Sequence, residues 1–280
     1  IEINLICRRA RRRDRAMDPA VPQRIFDAAV NGRVEEVDKW LAGVATPRDV
    51  VNCLDQQRPH APLLSCVACG RPVDARHVEL AKKLISLGAN VNHIDELGAS
   101  PLIYLLQCFG VRCSGKAVID MLSLLLGAGA NVTREGGVFG FPVSVVVRKL
   151  SRSNCPDTAL FEELVTMLLR AGASVDSSSA KNVSGFLAMQ GVRRAVAQSG
   201  DDPRCAELFA DPHFITIQAQ IDGVHAAGSW RAYIMAPRLE VLTLRGLANR
   251  GKIRSADPAL NNLVALPNEL ICQVLAFWVG

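Results

Sequence analysis

A tetrapeptide of the form Gly-Ala-(Asn/Ser)-Val occurs three times in this chain of 280 residues, beginning at Gly88, Gly129 and Gly172. The starts are 41 residues (129 − 88) and 43 residues (172 − 129) apart. An element that recurs at such a period is typical of proteins built from stacked repeats, in which each unit contacts only its neighbours. This recurrence constrains the fold more than any other feature of the sequence.

Apolar residues with helical spacing precede each of these glycines. They stand eleven, eight, seven, four and three positions upstream: His77, Leu80, Ala81, Leu84 and Ile85; Val118, Met121, Leu122, Leu125 and Leu126; Phe161, Leu164, Val165, Leu168 and Leu169. This spacing predicts a helix with one apolar face, and the glycine supplies the left-handed conformation that ends it. His77 is the one polar member, and we interpret its position as a helix start where burial matters least.

A second helix start lies thirteen residues beyond each glycine. Pro101 and Pro142 occupy this position in two copies and Gly185 occupies it in the third. Proline suits the first turn of a helix because its φ is preset and its missing N–H would have no intrahelical partner. Each unit is therefore predicted to hold a loop or hairpin, a first helix, a turn, and a second amphipathic helix closed by Gly-Ala.

These units resemble the ankyrin repeat. The segment Gly98-Ala99-Ser100-Pro101-Leu102-Ile103 is close to that family's Gly-x-Thr-Pro-Leu-His. Ile103 replaces the family's His, Phe141 precedes Pro142 where Thr or Ser is usual, and the period exceeds the usual ~33 residues. The extra residues fall between the two helices, within 110–116 and 151–157. The resemblance implies an all-α fold, an ankyrin-repeat solenoid followed by a small helical C-terminal module.

Four segments organise the predicted chain. Residues 1–22 form a basic tail, in which Met17 is a candidate start that would make 1–16 a non-native extension. Residues 23–200 form the ankyrin-repeat domain of about five units with lengthened inter-helix turns. Residues 201–228, where the period is lost, are predicted to be an irregular connector, and 229–280 the helical module.

Charge and composition argue against several partners. Of the net charge of +5, residues 1–16 carry +4, from six Arg against Glu2 and Asp14, so the remainder sums to +1. A broad phosphate-binding face for nucleic acid is therefore not expected. No uninterrupted apolar run approaches the ~18 residues of a membrane span. Nine scattered cysteines fit a reducing compartment, so we expect a cytoplasmic or nuclear protein.

A zinc site is the alternative hypothesis from another functional class. Cys66-x-x-Cys69, with Cys53 and His60 nearby, would suit a zinc-dependent enzyme. The Cys pair is predicted inside a repeat helix, where Cys serves as a small core residue. The sequence contains no phosphate loop, nucleophile elbow or His-Glu-x-x-His motif, and we interpret the Gly136–Gly140 cluster as a hairpin requirement. We therefore expect a non-catalytic chain without metal or cofactor.

The predicted hairpin tips are the candidate surface for a protein partner. Their composition changes from copy to copy while the helices keep their pattern, as expected of side chains that serve recognition. The candidate contact residues are Asn92, His93, Asp95, Glu96, Arg134, Glu135, Asp176 and Lys181. We expect a non-catalytic scaffold that binds a protein through these tips and the concave helix face.

The C-terminal segment carries a second functional hypothesis. The run from Leu266-Pro267-Asn268-Glu269 to Leu275 resembles the opening of an F-box, and 239–278 resembles a SOCS-type box. Residues 229–278 also resemble a C-terminal segment of ankyrin-repeat proteins from marine microalgae. The box resemblance implies a substrate receptor of a cullin-type ubiquitin ligase, docking an adaptor through Leu239, Leu242, Leu266, Pro267, Leu270 and Val274. The alternative is a structural cap that buries these residues.

Overall fold

The structure is a computed structural model. It describes residues 21–44, 46–55, 61–70, 72–109, 114–150, 157–198 and 203–251, with short segments within 261–273. Over these ranges the regular structure is helical, and the β contact present there is an isolated antiparallel bridge between Leu54 and Pro62. The predicted all-α class is confirmed. Within the described ranges, no helix is long and apolar enough to cross a membrane. Residues 1–20 of the predicted basic tail lie outside these ranges.

The helices belong to two compact units, 1–221 and 222–280, and the boundary between the units falls within the helix Pro212–Ala227. In chain order they are α1 (Gln23–Val30), α2 (Val34–Ala42), α3 (Pro47–Val50), α4 (Leu63–Ala68), α5 (Ala75–Ser86), α6 (Pro101–Cys108), α7 (Gly115–Gly127), α8 (Pro142–Leu150), α9 (Thr158–Arg170), α10 (Gly185–Gln198), α11 (Pro203–Ala210), α12 (Pro212–Ala227) and α13 (Trp230–Asn249). A short 3₁₀ turn, Gly137–Phe139, precedes α8.

Helices of the first unit stack in two rows. Helices α1, α4, α6, α8 and α10 contact one another in succession and form the inner row. Helices α2, α5, α7 and α9 do the same and form the outer row. Each of α1, α4, α6 and α8 also contacts the outer helix that follows it in sequence. Neighbouring helix pairs therefore bury a continuous core between the rows.

The predicted helix boundaries are confirmed by local geometry. Pro101 begins α6, where the hydroxyl of Ser100 accepts a hydrogen bond from the backbone nitrogen of Ile103, and Pro142 begins α8. At the other end, Gly88, Gly129 and Gly172 have φ values of 92°, 84° and 91°. Only glycine adopts this left-handed region without strain, so each of these glycines ends its helix.

The predicted apolar faces of α5, α7 and α9 point into the core. Every residue of the three sets is buried except Ile85 and Leu126, which are half-buried. The inner helices are covered more completely, and all six residues of α4 are buried. An inner helix that is apolar on all sides needs neighbours on all sides, which the two rows provide.

His77 corrects one interpretation of the sequence, because its side chain is buried rather than at a tolerant helix end. Its Nε2 donates to the carbonyl oxygen of Val30 (3.0 Å), and its Nδ1 lies 2.8 Å from the Asp74 carboxylate, which caps α5. A β-carbon added at Gly32 or Gly70 would lie 2.6 or 2.4 Å from the ring. The imidazole therefore occupies a slot between two glycines and joins α5 to the end of α1.

The irregular connector predicted over 201–228 is wrong for the part of that range that the structure describes. Helices α11 and α12 occupy it. The hydroxyl of Thr158 donates to the carboxylate of Asp211 (2.8 Å), and the side chains of Thr166 and Gln220 are hydrogen-bonded. These contacts lay the first part of α12 against α9. The Gly-Ala-(Asn/Ser)-Val tetrapeptide does not occur within 201–228, so no recurring pattern indicated a helix beside α9.

Among the described residues of the second unit the longest helix is α13, which continues through Pro237. The ring of Tyr233 packs against Gly223, where an added β-carbon would collide with it. The guanidinium of Arg245 donates to the carbonyl oxygen of Leu266 (2.5 Å), and Ile271 is fully buried. The final helical stretch predicted from Leu260 is described only at short segments, so most of it lies outside the described residues.

Candidate partner-binding surface

Three loops lie side by side where each outer helix leads into the next inner helix. We call them together the hairpin surface, defined as residues 90–99, 131–140 and 174–184. The left-handed glycines begin these loops, and helix N-termini at Pro101, Pro142 and Gly185 follow them. Both ends of every loop are therefore fixed by packed helices, and the relative positions of the loops follow from the helix stack.

Asparagine side chains link successive loops. The amide of Asn92 donates to the carbonyl oxygen of Gly129 (2.9 Å), and its oxygen accepts from the backbone nitrogen of Asn131 (2.7 Å). Asn52 makes the same pair of bonds one unit earlier, to Gly88 and Asn90 (3.1 and 2.7 Å). Each asparagine thus satisfies one donor and one acceptor of the next loop, which fixes the spacing between units.

The first and second loops also meet through their glycines. The backbone nitrogen of Val138 donates to the carbonyl oxygen of Leu97 (3.2 Å). A β-carbon on Gly98 would lie 2.6 Å from the Cα of Gly137, and one on Gly137 would overlap the Leu97 carbonyl oxygen. Both glycines have positive φ, 79° and 55°. The glycine cluster therefore serves hairpin geometry and close packing, as the sequence predicted.

Asp95 corrects the predicted set of contact residues, because it is buried. Its carboxylate accepts from the backbone nitrogens of Leu97 (2.9 Å) and Ala99 (2.8 Å) and from the hydroxyl of Tyr104. Burial raises the pKa of this carboxyl, and the hydrogen bonds offset only part of that effect. Burial, and then the bond to Asp95, also raises the pKa of Tyr104. Asp95 therefore holds its own loop together.

Glu135 has a structural role as well. Its carboxylate accepts from the hydroxyl of Ser179 and from the amide of Asn182, both at 2.6 Å. These two bonds lower the pKa of Glu135 below its ordinary value. The same amide of Asn182 donates to the carbonyl oxygen of Gly137 (2.7 Å). One glutamate and one asparagine therefore connect the second loop to the third, where no Asn92-type pair of bonds is present among the described residues.

The structure places the other predicted contact residues at the solvent-facing side of the loops. His93 is half-buried, and the exposed residues are Asn92, Glu96, Arg134, Asp176 and Lys181. They lie on all three loops and carry charges of both signs. Asn92 is exposed although it links two loops, so exposure alone does not show whether a residue contacts a partner or stabilises the loops.

Three apolar residues that sequence reasoning missed are exposed at one end of this surface. Val138, Val183 and Leu187 have exposed fractions of 57%, 45% and 53%. Val138 follows Gly137 and Val183 follows Asn182, so the Asn182–Gly137 hydrogen bond places the two valines on adjoining loops. Leu187 lies in the first turn of α10, where its nitrogen donates to the hydroxyl of Ser184. The sequence indication of this group is Val138, an apolar residue that lies between Gly137 and Gly140.

The zinc hypothesis gains no ligand set. Among the described residues, no group of three or more His, Cys, Asp or Glu side chains could hold a metal ion. Cys53 and Cys66 are buried core residues. His60 lies outside the described residues.

The predicted adaptor-docking residues of the second unit differ in exposure. Leu239, Leu242 and Leu270 have exposed fractions of 57%, 43% and 45%. Pro267 is exposed and Leu266 is half-buried. Val274 lies outside the described residues. On α13, Leu239 and Leu242 are three positions apart and therefore share one face of the helix.

No protein-family model matches the chain, and no curated protein shows significant similarity to it.

Proposed function

We propose that this chain is a non-catalytic protein–protein interaction module of the ankyrin-repeat class, which binds a protein partner through the hairpin surface. Three features support the class: the Gly-Ala-(Asn/Ser)-Val element with its fixed spacing, the two rows of stacked helices, and the loops between them. Solenoids of this kind present a continuous surface formed by corresponding loops of successive units.

The observation that carries the proposal is the exposure of Val138 and Val183 on two hydrogen-bonded loops, together with that of Leu187 in the adjoining first turn of α10. Exposed apolar side chains that adjoin one another are typical of interaction sites when polar residues surround them. Because the loops are already fixed, a partner that buries these residues meets an ordered surface, and little conformational entropy is lost on binding.

Charged residues are exposed on the same loops as the two valines. Arg134 and Lys181 are exposed on the second and third loops, and Asp176 is exposed on the third. Charged residues of this kind contribute to specificity and association rate rather than to most of the affinity. The inner helices add less, because α4, α6 and α8 are largely buried. The proposed contact surface therefore consists mainly of loops and the start of α10.

The experiment compares the proteins captured by the wild-type chain with those captured by the triple variant Val138→Ser, Val183→Ser, Leu187→Ser. Partners of the hairpin surface should be lost from the variant, because the buried apolar contact disappears. The matched control is Ile215→Ser, which changes an equally exposed apolar residue on α12 and should keep every partner. Thermal unfolding must be similar for all three proteins. An identical set of captured proteins for the wild type and the triple variant would exclude this surface.

A second candidate function is a substrate receptor of a cullin-type ubiquitin ligase, in which the second unit docks an adaptor. The exposure of Leu239, Leu242 and Leu270 supports docking over the cap, because a cap requires these side chains to be buried. An amphipathic helix that binds in a groove presents such i, i+3 residues.

The test is co-purification of a ligase adaptor with the wild-type chain and with the variant Leu239→Ser, Leu242→Ser. Loss of the adaptor from this variant is expected, with little change in thermal stability. The matched control, Leu244→Ser, changes a similarly exposed leucine on the opposite side of α13. Absence of any adaptor from the wild-type preparation would reject the substrate-receptor function and would not affect the proposal for the hairpin surface.

A further inference from the structure

Two thiols meet between neighbouring helices of the inner row. Cys69 follows the last residue of α4, and Cys108 is the last residue of α6. Their sulfur atoms lie 3.0 Å apart, about 1 Å longer than a covalent S–S bond. The two residues are separated by 39 positions in the sequence, so this contact joins adjacent repeat units.

Exposure distinguishes this pair from the cysteines around it. Cys69 and Cys108 are both half-buried, whereas Cys66, one helical turn before Cys69, is buried, as is Cys53. Oxidation of a thiol requires access of the oxidant to the sulfur. A small oxidant from solvent therefore reaches the Cys69–Cys108 pair in preference to the buried thiols.

The backbone on both sides of the pair is held in place. The backbone nitrogen of Cys69 donates to the carbonyl oxygen of Ser65 (3.0 Å). Phe109, directly after Cys108, packs edge-on against Phe161 with ring centroids 5.3 Å apart, and its carbonyl oxygen accepts a hydrogen bond from Lys149. Joining the two sulfurs therefore requires a small side-chain adjustment rather than a rearrangement of the helices.

We propose that Cys69 and Cys108 are a peroxide-responsive pair that forms a reversible disulfide between adjacent repeat units. One thiol loses its proton and, as a thiolate, attacks hydrogen peroxide, which gives a sulfenic acid and releases hydroxide. The second thiol attacks the sulfenic sulfur, the S–S bond forms, and water leaves. In total the two thiols lose two electrons and two protons, and the peroxide is reduced to two molecules of water.

The expected consequence is a stiffer junction between α4 and α6. A cross-link that closes a loop of this length restricts the unfolded chain and thereby stabilises the folded state. A thiol reductant reverses the reaction, as is usual for regulatory disulfides in reducing compartments. This inference concerns the helix junction and stands independently of the partner-binding proposal.

The experiment uses the full chain, reduced, freed of reductant and then treated with hydrogen peroxide. Remaining thiols are alkylated, and the cross-links are mapped by mass spectrometry of peptides. The expected product is an intramolecular species two hydrogens lighter, with Cys69 joined to Cys108. Its melting temperature should rise by several degrees and should return to the starting value after treatment with dithiothreitol.

Three variants make the result decisive. Cys108→Ser and Cys69→Ser should each lose both the cross-link and the rise in melting temperature, whereas Cys66→Ala should keep both. If one serine variant fails to fold, as judged by circular dichroism, the other provides the same test. The proposal is overturned if Cys108 stays open to alkylation while other cysteines oxidise. Pairing of Cys108 with a different cysteine, or cross-links between molecules only, overturns it equally.

Discussion

The slot that holds His77 allows a quantitative test of the packing between the first units. A β-carbon on Gly70 would lie 2.4 Å from the imidazole of His77, well inside van der Waals contact. The φ of Gly70 is not in the left-handed region, unlike that of Gly32. Replacing Gly70 by Ala therefore introduces a clash with the ring and little backbone strain, which makes the pair suitable for a double-mutant cycle.

The expected energies follow from the contacts. Gly70→Ala overpacks the slot and should destabilise by ~1 to 3 kcal/mol. His77→Ala removes a buried ring, leaves the Val30 carbonyl without its donor, and should destabilise by ~2 to 5 kcal/mol. In the double variant the alanine methyl enters the space that the ring has vacated. There Gly70→Ala should cost nothing, or should stabilise by up to ~1 kcal/mol through the unfolded chain.

Urea unfolding followed by circular dichroism measures the three variants against the wild type. We expect the double variant to be more stable than the sum of the single changes by at least ~1 kcal/mol, since contacting residues couple. Gly127→Ala is the control, because no atom lies within 4 Å of its added β-carbon. Its effect should be small and additive with that of His77→Ala. If the effects of Gly70→Ala and His77→Ala on the free energy of unfolding were additive, the two residues would not be in contact as the structure shows.

Three further predictions concern the loops and the α5 cap. Asn92→Ala should destabilise by about 1 to 2 kcal/mol in urea unfolding, because two backbone groups of the next loop lose their partner; an unchanged midpoint would contradict the linking role. Gly137→Ala should destabilise by ~2 kcal/mol or more, since the methyl meets the Leu97 carbonyl and the φ is strained; wild-type stability would disprove that contact. At Asp74, burial alone would raise the pKa of the carboxyl, but hydrogen bonds from His77 and Arg76 lower it overall. The stabilisation that ionised Asp74 provides is therefore present above the unfolded pKa of about 3.9 and is lost as pH falls through the lower folded pKa. The difference in melting temperature between the wild type and Asp74→Asn should therefore disappear in acid. A difference that stays constant with pH would contradict the role of ionised Asp74.

The helices could be predicted because their signals are local. Pro101 and Ser100 determine a helix start by φ and by capping, and Gly129 determines a helix end by its left-handed conformation. The apolar spacing before Gly129 is a property of one helix and needs no knowledge of its neighbours. The order of the two rows follows from repetition, since corresponding helices stack upon one another.

The predictions that were wrong concern features that depend on contacts between residues distant in the sequence. The burial of His77 depends on Gly32 and Gly70, which leave room for its ring. The position of α12 beside α9 depends on contacts across more than fifty positions, such as that between Thr166 and Gln220. Neither contact produces a periodic pattern in the sequence, so neither could be predicted from the spacing of residues.

The hairpin surface combines both cases, because two of the polar residues predicted to contact a partner, Asp95 and Glu135, hold its loops together. Polar loop residues are the usual first choice for partner contacts, yet Asp95 and Glu135 are engaged in hydrogen bonds that hold the loops together. On the loops that those bonds hold in place, the apolar residues Val138 and Val183 are exposed. A partner that covers them gains hydrophobic free energy in proportion to the area buried. Polar groups that are already hydrogen-bonded within the surface add few new hydrogen bonds to a partner. Asp95 and Glu135 therefore position the loops, and under our proposal the exposed apolar residues bind the partner.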